Sequence, residues 1–250
     1  MVRLVHYHAK SFLSSNKFLM PLLSYIIILV ILLSSNIGSE KAIYIFSMVV
    51  AYFVATWSGF VYADSEDHIT EQILVLKAPS IIKYYISKVV FVVIWGLTFT
   101  AIGFILPLVW RLIMALFSGN MAAVKSLFKV VSIQNGLCSL VMHLCVSILG
   151  GVIGYLLHPR VFNNRKIGAI ATFSLSVIGI IKGPLFAELQ IPVVKILSFL
   201  LPPVYDIIQG CNMQTEVLKF GDILLPCLLA LVYSAILGVI NVVVINKRGF

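Results

Sequence analysis

Residues Val89 to Trp110 read VVFVVIWGLTFTAIGFILPLVW, a run without a single charged side chain. A helix of that length is about 33 Å long, enough to cross the roughly 30 Å hydrocarbon core of a bilayer. The run is therefore read as a membrane span. Comparable runs lie on either side of it, at Phe18–Ser35, Ala42–Tyr62, Ser132–Leu157, Ile167–Ala187 and Ile223–Ile245. Together they predict an all-α membrane protein with six transmembrane helices, forming one transmembrane domain over residues 1–250.

Composition agrees. Of 250 residues, 61% are hydrophobic and 11% charged, whereas soluble domains are nearer half apolar and a quarter charged. The net charge of +9 sits in short loops and termini, where it sets orientation. No basic stripe with interleaved aromatics lies outside the spans, which argues against nucleic acid as a partner. Counted on alternate sides, Lys and Arg divide 11 to 7, and the dense groups Arg160–Lys166 and Lys247-Arg248 share the richer side. Both termini are therefore expected in the cytoplasm. Ser34-Ser35-Asn36 after the first apolar run is not a small-x-small cleavage site, so that run reads as a retained span.

Three segments outside the spans carry pattern. In residues 1–17, Val5, Ala9, Phe12 and Leu13 form an apolar face opposite Arg3, His6, Lys10 and Lys17. Such a helix can lie at the lipid interface or be the plain basic flank of the first span. The cytoplasmic loop 63–88 opens with Asp64, Glu66 and Asp67, and then places Ile69, Ile73 and Leu76 on one helical face. Pro79 ends that helix at Ala78. It reads as a docking element or an interfacial rest, and spacing alone does not choose. In the outer loop 188–222, Val193–Leu201 is too short to cross a bilayer and stops at Pro202-Pro203, with a second short helix toward Gln209. Both read as short re-entrant or interfacial helices.

Inside the spans there is little ionisable chemistry. Every Asp and Glu falls outside them, Lys182 lies near the outer end of the fifth, where it can snorkel, and His143 reads as a hydrogen-bonding partner for a neighbouring helix. The chain has no phosphate-binding G-x-x-x-x-G-K-[ST], no H-E-x-x-H and no G-x-S-x-G. No catalytic residue, metal site or cofactor of its own is expected. The cysteines, Cys138, Cys145, Cys211 and Cys227, form no C-x-x-C pair. Small residues recur on helical faces: Gly96, Thr100 and Gly103 in the third span; Ser147, Gly150, Gly151 and Gly154 in the fourth; Gly168, Thr172, Ser176, Gly179 and Gly183 in the fifth. Such stripes permit close helix packing, within one subunit or, for the fifth span, against a second one.

The layout resembles the permease subunits of type-2 ABC exporters. Thr70-Glu71-Gln72-Ile73-Leu74-Val75, Ala78-Pro79-Ser80 and Lys88 look like that family's Gly-Thr-x-Glu-x-Leu-Leu…Pro-x-Ser…Gly-Lys pattern. His68 or Ile69 stands at its first glycine, Ser87 at its last, and the spacing to the proline is one residue longer. The resemblance implies that the helix Glu66–Lys77 couples to a separate ABC ATPase subunit, which binds the ATP and Mg2+. Glu66, Asp67, Thr70, Glu71, Gln72, Leu74 and Pro79 would form that contact, with Arg160 in a secondary one. It further implies a second permease subunit, the same chain or a related one, and the Gly168–Gly183 stripe would face it or the pathway. The expected role is export of a hydrophobic or amphipathic substrate, such as a peptide, across a bacterial cell membrane. The competing class is an ATP-independent carrier, channel or helper subunit of a membrane complex.

Overall fold

The computed structural model describes residues 1–35, 40–66, 68–117, 130–157, 164–187, 200–211 and 217–248. Among them there are helices and no strands: α1 (Val2–Ser14), α2 (Leu19–Ser34), α3 (Glu40–Ala63), α4 (His68–Lys77), α5 (Ile81–Phe117), α6 (Val130–Leu156), α7 (Arg165–Ala187), α8 (Val204–Gly210) and α9 (Phe220–Arg248).

Five of these, α3, α5, α6, α7 and α9, are long and apolar enough to cross a membrane, and the bent pair α1–α2 adds a sixth candidate. The chain thus has the helices of a multi-pass membrane protein. With 16 residues, α2 is about 24 Å long, the shortest of the predicted spans. The longest is α5, whose 37 residues run to about 55 Å, so it must project well beyond one or both faces of a bilayer.

The bundle is built around α3 and α6. Of their apolar cores 67% and 72% lie buried inside the protein, against 22% for α7 and 28% for α9. This contrast assigns α3 and α6 to the protein interior and leaves α7 and α9 to cover them. Glycine makes the central contact possible. A Cβ at Gly59 would strike the Gly151 carbonyl, one at Gly154 the Thr56 carbonyl, and one at Gly150 would lie 2.5 Å from the Tyr52 carbonyl oxygen. The two backbones therefore touch directly, the small-residue packing that the fourth span predicted. Gly96 brings α5 against the Ser147 backbone in the same way, at 3.3 Å.

Of the two readings of the fifth-span stripe, packing within the chain is the one present. Thr172 and Ser176 are wholly buried in the single chain, and Gly168 is buried. Gly179 packs on Pro202, close to the Tyr52 hydroxyl, and Gly183 on the ring of Tyr205. The residues expected at a subunit interface or pathway, Gly168, Thr172, Ser176, Gly179 and Gly183, thus lie on the side of α7 that faces its own chain. The exposed face of α7 is its bulky one, with Ile167, Ile170, Phe173, Val177, Ile181 and Leu185. Lys182 does not snorkel either: its side chain is 7% exposed and paired with Asp206 of α8.

A short helix, α8, follows Pro202-Pro203. Val204 and Ile207 are buried with Tyr52, Met142 and Leu149 in the main apolar core. Residues 188–199, and with them most of Val193–Leu201, lie outside the described residues. At the same end, Asn135 Oδ1 accepts from the Leu218 amide at 2.7 Å and Gln134 Nε2 donates to the Leu218 carbonyl at 2.9 Å, which fixes the start of α9. All four cysteines are buried and free. His143 accepts or donates at 2.8 Å to Ser47, joining α6 to α3 as the sequence suggested.

Candidate functional site

At the opposite end of the bundle, four segments meet: α1, the turn after α3, α4 and the start of α5. Arg3, His6 and Lys10 of α1, and Lys17 just beyond it, are exposed. Its buried residues are His8 and Phe12, however, whereas Leu13 is 46% exposed. The helix therefore presents an i, i+4 pair to protein. Phe12 sits edge-on to Tyr62, Phe91 and Trp95 at 5.3, 5.8 and 5.4 Å between ring centres, geometry that aromatic quadrupoles favour. Asn16, in the left-handed region at φ 55°, a conformation Asn tolerates, then turns the chain by 73° into α2.

One turn before Phe12, His8 enters a buried ionic cluster. Its Nδ1 lies 3.0 Å from Glu66 Oε1 and its Nε2 3.0 Å from Ser87 Oγ. Lys88 Nζ lies 2.7 Å from Glu66 Oε2 and 2.7 Å from Glu71 Oε1, so one ammonium bridges two carboxylates. The Tyr84 hydroxyl donates to Glu66 Oε2 at 2.7 Å, and the Tyr84 ring lies 4.9 Å beneath the Lys88 ammonium. Side-chain exposure is 0% for His8, 4% for Glu66, 5% for Lys88 and 2% for Glu71. Charges so deep persist only when paired and hydrogen-bonded.

Ser87 Oγ also donates to the Tyr84 carbonyl at 2.6 Å, which ties the start of α5 to the His8 ring.

Burial alone would raise the Glu66 carboxyl. The bond from His8 and the adjacent Lys88 ammonium outweigh it and hold the group well below the usual carboxylate range. A carboxylate depressed in the folded state stabilises fully above its unfolded pKa, and that contribution is lost as pH falls below about 4.5. Protection of the α1 and α4 amides, taken relative to the intrinsic exchange rate at each pH, is therefore expected to fall as the pH is lowered from about 5 to about 3, and Glu66→Gln should flatten that response. Protection that does not change over that range in the unaltered chain would refute the assignment.

α4 is the outward part of the assembly. Glu71 and Val75 face inward, Val75 packing with Leu74 and Ala78 on Tyr84 and Tyr85. The apolar face predicted from Ile69, Ile73 and Leu76 exists but points out, at 65%, 48% and 85% exposed. The structure thus divides the predicted coupling residues. Glu66 and Glu71 are corrected from contact residues to buried anchors, because Lys88 draws them in. Thr70 and Pro79 are exposed, Gln72 and Leu74 half-buried, and Asp67 and Arg160 lie outside the described residues. Ser87 and Lys88 appeared in the sequence reading only as the end of the family-like pattern, and His8 and Tyr84 were not singled out. For His8 the signal was its i, i+4 position relative to Phe12. Among the described residues no group of three or more His, Cys, Asp or Glu is placed to hold a metal.

Comparisons with protein-family models, curated proteins and solved structures found no match to this chain.

Proposed function

We propose that this chain is the transmembrane subunit of an ABC exporter, moving a hydrophobic or amphipathic substrate such as a peptide with ATP hydrolysed on a separate subunit. The observation that carries the reading is α4. Exposed large apolar residues clustered on a polar-flanked helix outside the spans favour a partner surface. Here that face is Ile69, Ile73 and Leu76, while Glu71 and Val75 hold the other face to the bundle. A push on α4 would reach α5 through the Glu71–Lys88 bridge, and α5 runs 37 residues through the bundle. In this reading α4 lies in the cytoplasm, the ATPase binds ATP and Mg2+, and a second permease subunit packs against exposed spans such as the bulky face of α7.

The test is purification in mild detergent with an assay of ATP hydrolysis and of substrate export from cells. The unaltered chain should carry an ATPase in fixed stoichiometry. Leu76→Asp and Ile73→Asp, both at exposed positions, should leave its melting temperature unchanged and weaken the association by about 30-fold each, the effect of a hot spot worth about 2 kcal/mol. Undiminished association in both variants would defeat the proposal.

A second reading, an ATP-independent carrier, draws on the buried Glu66–Lys88–Glu71 cluster, since ionisable groups inside membrane proteins serve as relays. It requires substrate movement by the isolated chain in vesicles under a proton or sodium gradient. The pairing of both carboxylates with Lys88 favours an anchor over a relay.

A further inference from the structure

We propose that the cavity between α7, α8 and α9 binds a zwitterionic amphipath whose head carries a phosphate and a primary ammonium. The cavity measures about 300 Å3 and is lined by Lys182, Leu201, Pro203, Asp206, Leu229, Val232, Tyr233 and Ile236. This inference goes beyond the export reading and stands whatever drives transport.

The head end of the cavity is the ion pair. Lys182 Nζ donates to Asp206 Oδ2 at 2.5 Å, its one bond among the described residues. An ammonium has three donors. Two have no partner among the described residues, on a side chain that is 7% exposed and borders a cavity. Buried donors demand acceptors. Asp206 is 38% exposed, and its other oxygen, Oδ1, has no protein partner among the described residues. The pair is neutral as a unit, so a purely anionic head would meet the Asp206 carboxylate and a purely cationic one the Lys182 ammonium. A head with both charges satisfies each side: phosphate oxygens on Lys182, and ammonium N–H on Asp206 Oδ1.

The other walls suit a hydrocarbon chain. Leu201 and Pro203 close one side, and Leu229, Val232 and Ile236 of α9 are 42%, 56% and 53% exposed, so the cavity opens onto the apolar outer face of that helix. Depth fits as well. Arg165 at the start of α7 pairs with Asp64, beside the ionic cluster. Lys182 lies about 25 Å further along the helix, one turn from its other end, where head groups meet hydrocarbon. Gly179 and Gly183 make the site possible, since they let Pro202 and Tyr205 approach α7 closely enough for Asp206 to reach Lys182.

The head chemistry could come from a bilayer phospholipid or from a single-chain amphipath passing through the protein. Native mass spectrometry of the purified full chain, titrated with dioleoyl-phosphatidylethanolamine, its single-chain lyso form and dioleoyl-phosphatidylglycerol, tests both. The first bound phosphatidylethanolamine should load at a concentration at least 10-fold below that for phosphatidylglycerol. Asp206→Asn and Lys182→Met should each abolish the difference, and the exchanged pair Lys182→Asp with Asp206→Lys should keep it. Tighter loading of the two-chain form supports a bilayer lipid, and equal loading of the lyso form supports a diffusible amphipath. Equal loading of phosphatidylethanolamine and phosphatidylglycerol, or a preference that survives Asp206→Asn, overturns the proposal. Asp206→Asn carries the test if Lys182→Met fails to fold.

Discussion

Gly154→Ala is expected to lower the melting temperature of the purified chain by roughly 10 °C, although it adds only one methyl group. That methyl would strike the Thr56 carbonyl and lie 2.8 Å from the Phe60 amide nitrogen. Both are backbone atoms in α3, so no side chain can rotate aside and the helices themselves must separate. Overpacking costs about 1–3 kcal/mol where neighbours yield and more where they do not. In a chain of this size each kcal/mol shifts melting by about 2–4 °C. Separation at Gly154 would also loosen the Gly59–Gly151 and Gly150–Tyr52 approaches, which belong to the same crossing. Position matters more than residue type. Gly151→Ala meets a valine side chain, Val92 Cγ1 at 2.9 Å, and should cost less, while Gly221→Ala has nothing within 4 Å and should be neutral. Thermal unfolding in detergent orders the three. Equal losses at Gly154 and Gly221 would remove the α3–α6 contact from the account.

That ranking also marks where sequence reasoning stopped. A small-residue stripe such as Gly150–Gly154 tells of close packing because nothing else lets two helices touch in lipid, yet it does not name the neighbour. For α6 the neighbour is α3. For α7 the stripe Gly168–Gly183 left its own chain and a second subunit open, and its neighbours are α3 and α8 of the same chain. The spans themselves were legible because lipid imposes one simple demand, a long apolar run, and their ends were less so. α5 begins eight residues before Val89, since Ser80 and the polar residues beyond it are good enough helix formers once Tyr84, Tyr85 and Lys88 are buried. Ile69, Ile73 and Leu76 announced an apolar face on α4, and periodicity is blind to whether such a face points in or out. The decision rests with Lys88, 17 positions after Glu71, and with His8, 58 positions before Glu66. The family-like pattern holds Glu71 and Lys88 without saying that they pair, and no local pattern reaches His8.

Lys88→Met is expected to release α4 from the bundle. The side chain is nearly isosteric and apolar, so packing around Tyr84 survives. What is lost is the cation between Glu66 and Glu71, both almost wholly buried. Removing one partner of a buried ion pair costs about 3–5 kcal/mol because an uncompensated charge remains inside. The loss should appear as fast amide exchange through His68–Lys77 at pH 7.5 with slower exchange kept in α3 and α6. Removing the carboxylates as well, in Lys88→Met with Glu66→Gln and Glu71→Gln, should be less damaging than the single change, since coupled neighbours are not additive. Comparison of the single with the triple variant gives the sharpest discrimination: a role for Lys88 through its methylene stem alone predicts the same α4 exchange in both. Because the apolar face of α4 can be presented only while its other side is anchored, Lys88→Met should lose ATPase association at pH 7.5 under the export reading, with Ile73 and Leu76 untouched.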